Sequence, residues 1–286
     1  MITPLIQPAE LLHLQSQGCV VRIFDCSFDL ADPGAGARQF AQTHIAGALH
    51  ADLDRHLSAQ PGAPSASGGR HPLPQRENFA QWLRSTGLNQ DEQVVVYDRQ
   101  GCNYCGRLWW MLRWAGHRAV AVLDGGLQGW IAAGGTVQSG ASPVPPSQGN
   151  FALKPEQTAC VAIETVANRL GHPQQTLIDA RGGPRYRGEV EPLDPVAGHI
   201  PGALNRPYTE NFGPDGRFKP AEQLRAEFSA LLAGRDPASV VHHCGSGVSA
   251  LPNMVAMEIA GMGTTALFAG SWSAWCRDAR LPVARG

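Results

Sequence analysis

Several landmarks recur in the same order in both halves of this chain at nearly constant separation. Ile23-Phe24-Asp25 returns as Leu177-Ile178-Asp179, and Thr43-His44-Ile45-Ala46-Gly47-Ala48 returns as Gly198-His199-Ile200-Pro201-Gly202-Ala203, an offset of 155 between the histidines. Val95-Val96 returns as Val240-Val241, and Gly125 with Trp130 as Gly270 with Trp275, both at an offset of 145. Order and spacing together imply two homologous halves rather than generic turns. Each half alternates short apolar runs (Val20–Phe24, Val94–Tyr97, Ala119–Leu123) with helical patterns (Phe79–Leu88, and Arg107–Ala115 closed by Gly116). That alternation predicts an α/β fold of two homologous domains, each a mostly parallel sheet with helices on both faces. Residues 139–152, rich in Pro, Ser and Gly, read as an extended, semi-rigid linker between domains at 1–138 and 153–286. Pro61 to Pro74 reads as an exposed loop.

The halves differ where it matters for chemistry. Ser239-Val240-Val241 begins a buried strand, Cys244 follows at once, and Gly245 and Gly247 open a tight loop before a helix expected from Val248 to Gly261. Such a loop aims several backbone N–H groups at one point, and a helix N-terminus adds positive potential. A cysteine there is expected to be held as a thiolate beside an anion site, the setting of a nucleophile acting on an anionic substrate. The first half has Arg99 at the equivalent position. Ligands of open α/β sheets bind outside the carboxyl ends of the strands, which is where Cys244 falls.

A net charge of −1 gives no basic footprint for nucleic acid and no polybasic membrane patch. No apolar run reaches 18 residues, and the N-terminal stretch lacks the basic start of a signal peptide. The seven cysteines, at 19, 26, 102, 105, 160, 244 and 276, are odd in number and scattered, as expected of a reducing, cytoplasmic setting.

These motifs resemble tandem rhodanese-domain sulfurtransferases over the whole chain. The marks are Asp179-Ala180-Arg181, Gly198-His199-Ile200-Pro201-Gly202-Ala203 and Cys244-Gly245-Ser246-Gly247-Val248, with Trp109-Trp110 and Leu123-Asp124-Gly125-Gly126 in the first half. The loop form is similar to that of 3-mercaptopyruvate sulfurtransferases; thiosulfate sulfurtransferases usually carry Arg and Lys at the positions of Gly245 and Ser246. The resemblance implies double displacement through a persulfide on Cys244, with pyruvate released and a thiol, thioredoxin or cyanide taking the sulfur. It implies no cofactor and no metal.

Carried over residue by residue, the resemblance gives catalytic parts to Cys244, Ser246, His71 and Asp54, with Asp52 competing for the last. It gives donor binding to Arg185 and to the loop residues Gly245, Gly247, Val248 and Ser249. A second donor-binding arginine, in a Glu-Pro-Arg-Asp stretch, is replaced here by Leu193 in Glu191-Pro192-Leu193-Asp194. Either that arm of the clamp is missing or Arg187 substitutes for it. His242 and His243 precede the thiol on the strand and are read as packing residues.

A phosphatase loop would need an arginine where Ala250 stands. A thiosulfate donor, or a non-enzymatic binding protein built from two such domains, remain the alternatives. Cys102 and Cys105 form a Cys-x-x-Cys pair without a second pair at zinc spacing, and are read as structural thiols.

Overall fold

In the structure, a computed structural model, residues 1–286 are described apart from Pro143, Val144 and Pro146. Part of the expected linker, 139–152, therefore lies outside the described residues. The chain forms two compact units. The first comprises Met1–Pro64, Pro74–Gln157 and Pro214–Phe218; the second comprises Ser65–Leu73, Thr158–Gly213 and Lys219–Gly286.

The first unit runs β1 (Leu5–Ile6), α1 (Pro8–Ser16), β2 (Val21–Asp25), α2 (Ala35–Gln42), β3 (His44–Ile45), β4 (Leu49–His50) and α3 (Arg76–Ser85). It continues with β5 (Gln93–Tyr97), α4 (Cys105–Trp114), β6 (Val120–Leu123), α5 (Gly126–Ala132) and β7 (Val137–Gln138). Its main sheet has the order β1-β6-β5-β2-β4, with every pairing parallel. β3 and β7 pair antiparallel apart from it. The central strands read Val-Val-Val-Tyr and Val-Ala-Val-Leu because both faces of a parallel sheet are covered.

The second unit runs β8 (Ala159–Cys160), α6 (Ile163–Asn168), β9 (Thr176–Asp179), α7 (Gly183–Arg187), β10 (Leu204–Asn205), α8 (Ala221–Leu232), β11 (Val240–His243), α9 (Leu251–Ile259), β12 (Ala266–Leu267) and α10 (Ser271–Trp275). Its sheet order, β10-β9-β11-β12-β8, is that of the first unit read from the other end, again all parallel. The repeat seen in the sequence is thus a repeat of topology.

The repeated residues do the same work in each unit. Trp130 and Trp275 are fully buried, and their indole N–H groups donate to Thr136 O (3.0 Å) and Pro282 O (2.8 Å). A tryptophan in such a core is worth about 3–5 kcal/mol against alanine. His44 stacks on Phe40 and His199 on Tyr186, each at 3.8 Å between ring centroids. Each also places Nδ1 on that partner's carbonyl, at 2.7 and 2.8 Å.

Two expectations shift. Residues 65–73 are not a uniformly exposed loop: His71 is 7% exposed, Leu73 is fully buried, and the segment belongs to the second unit. The stretch expected to be a linker runs against the first unit. Gly140 N–H donates to Ala41 O (2.8 Å), Gly149 N–H to Arg84 O (2.9 Å) and Phe151 N–H to Leu88 O (3.2 Å), and the Phe151 side chain is buried. Composition marked the segment as non-helical, but it could not show that these backbone donors had acceptors.

Candidate active site

β11 delivers Val240, Val241, His242 and His243, all buried, to the start of the loop. His242 and His243 pack as expected. Burial, with His243 beside it, drives His242 down to about 3, so the ring is neutral. Its Nε2 lies 3.3 Å from Met257 Sδ on α9. His243 is likewise lowered by burial, against the opposing pull of Asp179.

The helix after the loop starts at Leu251, three residues later than expected from the apolar run, with Pro252 in its first turn. Residues 244–250 instead wind as a separate loop. Gly247 adopts φ +73°, and a Cβ there would stand 2.4 Å from Ala269 O, so only glycine fits. Cys244 is 2% exposed, at the base of this loop.

The N-terminus of α10 holds the first turn of the loop. Cys244 N–H donates to Ser271 Oγ (3.1 Å), Trp272 N–H to Cys244 O (3.0 Å) and Ser273 N–H to Gly245 O (2.8 Å). Sequence reasoning missed these three residues, although a signal existed. Ser271 stands 145 residues after Gly126, and both have positive φ, +52° and +54°. The turn is the same, and the second unit keeps it with a serine whose hydroxyl fixes the Cys244 amide. Among the described residues, the amides of Gly245, Ser246, Val248 and Ser249 donate to no protein acceptor. They remain available to an anion.

The first unit shows what such a cradle does. Asp98, at the end of the equivalent strand, turns its carboxylate into its own loop. Oδ1 accepts from Gln100 N–H (2.9 Å) and Cys102 N–H (3.0 Å), and Oδ2 from Tyr104 N–H (2.8 Å) and Cys105 N–H (2.9 Å). Four amides converge on one anion, and that anion belongs to the chain. Arg99, at the position equivalent to Cys244, donates to Asp25 Oδ2 (2.9 Å) and Ser27 Oγ (2.5 Å). Cys102 and Cys105 are buried in this loop, and burial pushes both thiols up, against reactivity.

Around Cys244, Ser246 Oγ lies 2.7 Å from His71 Nδ1, both within the second unit. Arg185, on α7, is fixed by Glu191: its Nη2 donates to Oε1 (2.6 Å) and its Nε to Oε2 (3.3 Å). Val248 is buried, Ser249 half-buried, and Val248 O accepts from Leu251 N–H (3.1 Å). Arg181 is 4% exposed. It donates through Nη2 to Asp179 Oδ2 (2.6 Å) and sits over the Trp272 ring at 4.8 Å. Burial alone would raise Asp179, but His243 and Arg181 outweigh it and hold its carboxyl below the ordinary range.

Asp54 belongs to the first unit. There Asp52 is spent on local structure, since its Oδ1 accepts from the amides of Asp54 and Arg55, both at 2.9 Å. The Asp54 carboxyl is raised by burial and then by Asp52. Arg187 is committed to Glu189 at 2.6 Å, with both side chains about half exposed.

The rhodanese-like domain model matches residues 7–133 and 162–278. A probable 3-mercaptopyruvate sulfurtransferase of Pseudomonas aeruginosa is 49% identical over 267 residues, 92% of each chain. A putative thiosulfate sulfurtransferase of Mycobacterium tuberculosis is 39% identical, covering 99% of this chain and 97% of its own. The structure of 3-mercaptopyruvate sulfurtransferase from Leishmania major superposes with a TM-score of 0.84 at 31% identity, covering 98% of this chain and 76% of that one. With two matched domains, one loop closed by its own aspartate and the other headed by a cysteine, the chain belongs to the rhodanese-like family as a tandem-domain member of its sulfurtransferases.

Proposed function

We propose that the protein moves sulfur from 3-mercaptopyruvate to a thiol acceptor or cyanide through a persulfide on Cys244. The Cys244 thiolate attacks the donor sulfur and an S–S bond forms. The donor's C–S bond breaks, and its electron pair leaves on the enolate of pyruvate. The donor's own thiol proton ends on that carbon, giving pyruvate, and the persulfide anion remains. The amides of Gly245, Ser246, Val248 and Ser249 offer that anion fixed dipoles without reorganisation. An acceptor thiolate, on a small thiol or on thioredoxin, then attacks the outer sulfur and returns Cys244 as thiolate.

In this reading the Ser246–His71 pair carries the proton between donor sulfur and leaving carbon. Asp54 shares in that chemistry through the family resemblance. Arg185 holds the donor carboxylate, because a guanidinium fork matches that shape.

The observation that carries the choice of donor is the uncharged loop. Gly245 and Ser246 stand where thiosulfate sulfurtransferases usually carry Arg and Lys, so the loop itself supplies no cationic side chain. A second reading, thiosulfate as donor, has the putative thiosulfate sulfurtransferase of M. tuberculosis in its favour. Side-by-side kcat/KM values for the two donors decide between them. The first reading expects mercaptopyruvate to be preferred by at least about tenfold, a gap of about 1.4 kcal/mol in transition-state binding. Equal or greater efficiency with thiosulfate would overturn it.

A further inference from the structure

Residue 193 is where the resemblance places a second donor-binding arginine, and here it is a leucine, 43% exposed. The charge around the loop is nevertheless not one-armed. The neighbouring Asp194 has a fully buried carboxylate that faces three guanidiniums. Arg70 Nη1 stands at 2.5 Å, Arg277 Nη1 at 3.3 Å and Arg185 Nη2 at 3.7 Å. Glu191 takes Arg185 at 2.6 Å and Arg181 at 3.3 Å, and Arg181 is shared with Asp179. Four guanidiniums against three carboxylates leave this cluster one positive charge in excess, opposite in sign to the thiolate proposed for Cys244. A guanidinium has five N–H donors, so one held by a buried carboxylate still presents others.

Two of the four reach the residue after the thiol. A Cβ built on Gly245 would stand 3.1 Å from Arg70 Nη2 and 3.6 Å from both Nη atoms of Arg185. Arg70 is also fixed through its backbone. Its N–H donates to Ser273 Oγ (3.0 Å), and the Ser273 N–H donates to Gly245 O (2.8 Å). The arginine and the loop therefore share one anchor within the second unit.

We propose that Arg70 is the second donor-binding arginine of this protein. Its Nη2 and Arg185 Nη1 grip a carboxylate over Gly245, and Asp194 acts as the buried scaffold that sets the two guanidiniums apart. The pair does the work that position 193 does not. It also accounts for glycine at 245, since a side chain there would fill the space into which both forks point. This inference rests on the reading of the site as one for a carboxylate-bearing sulfur donor.

The test uses Arg70→Gln, Arg70→Lys and Arg70→Ala in the full chain, with folding checked by circular dichroism. The Gln and Lys variants keep a donor for Asp194. Arg70→Gln should raise KM for 3-mercaptopyruvate about tenfold to a hundredfold with kcat within about threefold, and Arg70→Lys should fall between it and wild type. A second readout needs no turnover: the rate of Cys244 alkylation by anionic iodoacetate relative to neutral iodoacetamide, followed by peptide mass. That ratio should fall at least about fivefold in Arg70→Gln while the iodoacetamide rate holds.

A folded Arg70→Gln with wild-type KM and wild-type alkylation ratio would overturn the proposal. So would a loss confined to kcat, which would mean that Arg70 acts only by placing His71. If wild type turned over neither donor but its iodoacetate preference still depended on Arg70, the anion site would stand and the donor reading would fall.

Discussion

His71 Nδ1 lies 2.7 Å from Ser246 Oγ across 175 residues of sequence. His71 reaches it because residues 65–73 fold with the second unit, not with the flanking chain of the first. An imidazole and a hydroxyl at that distance can pass a proton between them.

If the pair acts as one relay, its substitutions will not add. Ser246→Ala and His71→Gln should each lower kcat about a hundredfold, and the double variant should lose little more than the worse single. Steady-state kinetics on the three variants checks this; multiplicative losses would show that the two residues act apart.

Cys244 should be the only cysteine that turnover requires. Cys244→Ser should abolish sulfur transfer, whereas Ser at 19, 26, 102, 105, 160 or 276 should leave most of it. Wild type treated with donor should gain about 32 Da, one sulfur, by intact-mass measurement. The same adduct on Cys244→Ser protein would remove Cys244 as the carrier.

Asp98 should matter to stability far more than to chemistry. Alanine there strips four amides, three of them in buried bonds, of their shared acceptor, and should cost about 3–5 kcal/mol in urea unfolding at pH 7. A loss below about 1 kcal/mol would mean that the loop relaxes to satisfy those amides elsewhere.

His242 should make the second unit acid-sensitive. Its folded value is depressed to about 3 from an ordinary 6.5, so the folded state excludes a proton that the unfolded chain accepts. Stability is then full above about pH 6.5 and declines as pH falls toward 3, by up to about 1.4 kcal/mol per unit. His56, lowered by burial to about 4, slopes the same way. His242→Gln should flatten the decline between pH 6.5 and 4.5 by about one proton in a series of denaturant titrations. An unchanged slope would show that His242 takes up its proton without unfolding.

Much of this protein was legible from sequence because repetition is a long-range signal written locally. The offsets joining Trp130 to Trp275 and Val96 to Val241 specify two copies of one parallel topology. A strand running into Cys244-Gly245-Ser246-Gly247 marked the loop and the cysteine proposed as nucleophile, since backbone geometry there follows from neighbours in the chain. Arg185 was named as a donor-binding candidate by resemblance, and Glu191, the carboxylate that holds it, lies a few residues away. The tertiary structure decided what depends on contacts between distant segments. A stretch rich in proline and glycine reads as exposed unless its partner is known, and Arg70 and His71 find theirs at Ser273, Asp194 and Ser246, more than a hundred residues away. Asp98 reads as an ordinary strand-end acid until the four amides that close on it are seen. Leu193 reads as a lost arm of the clamp or one that Arg187 replaces; Arg70, proposed for that part, comes from a segment that no local pattern connects to it.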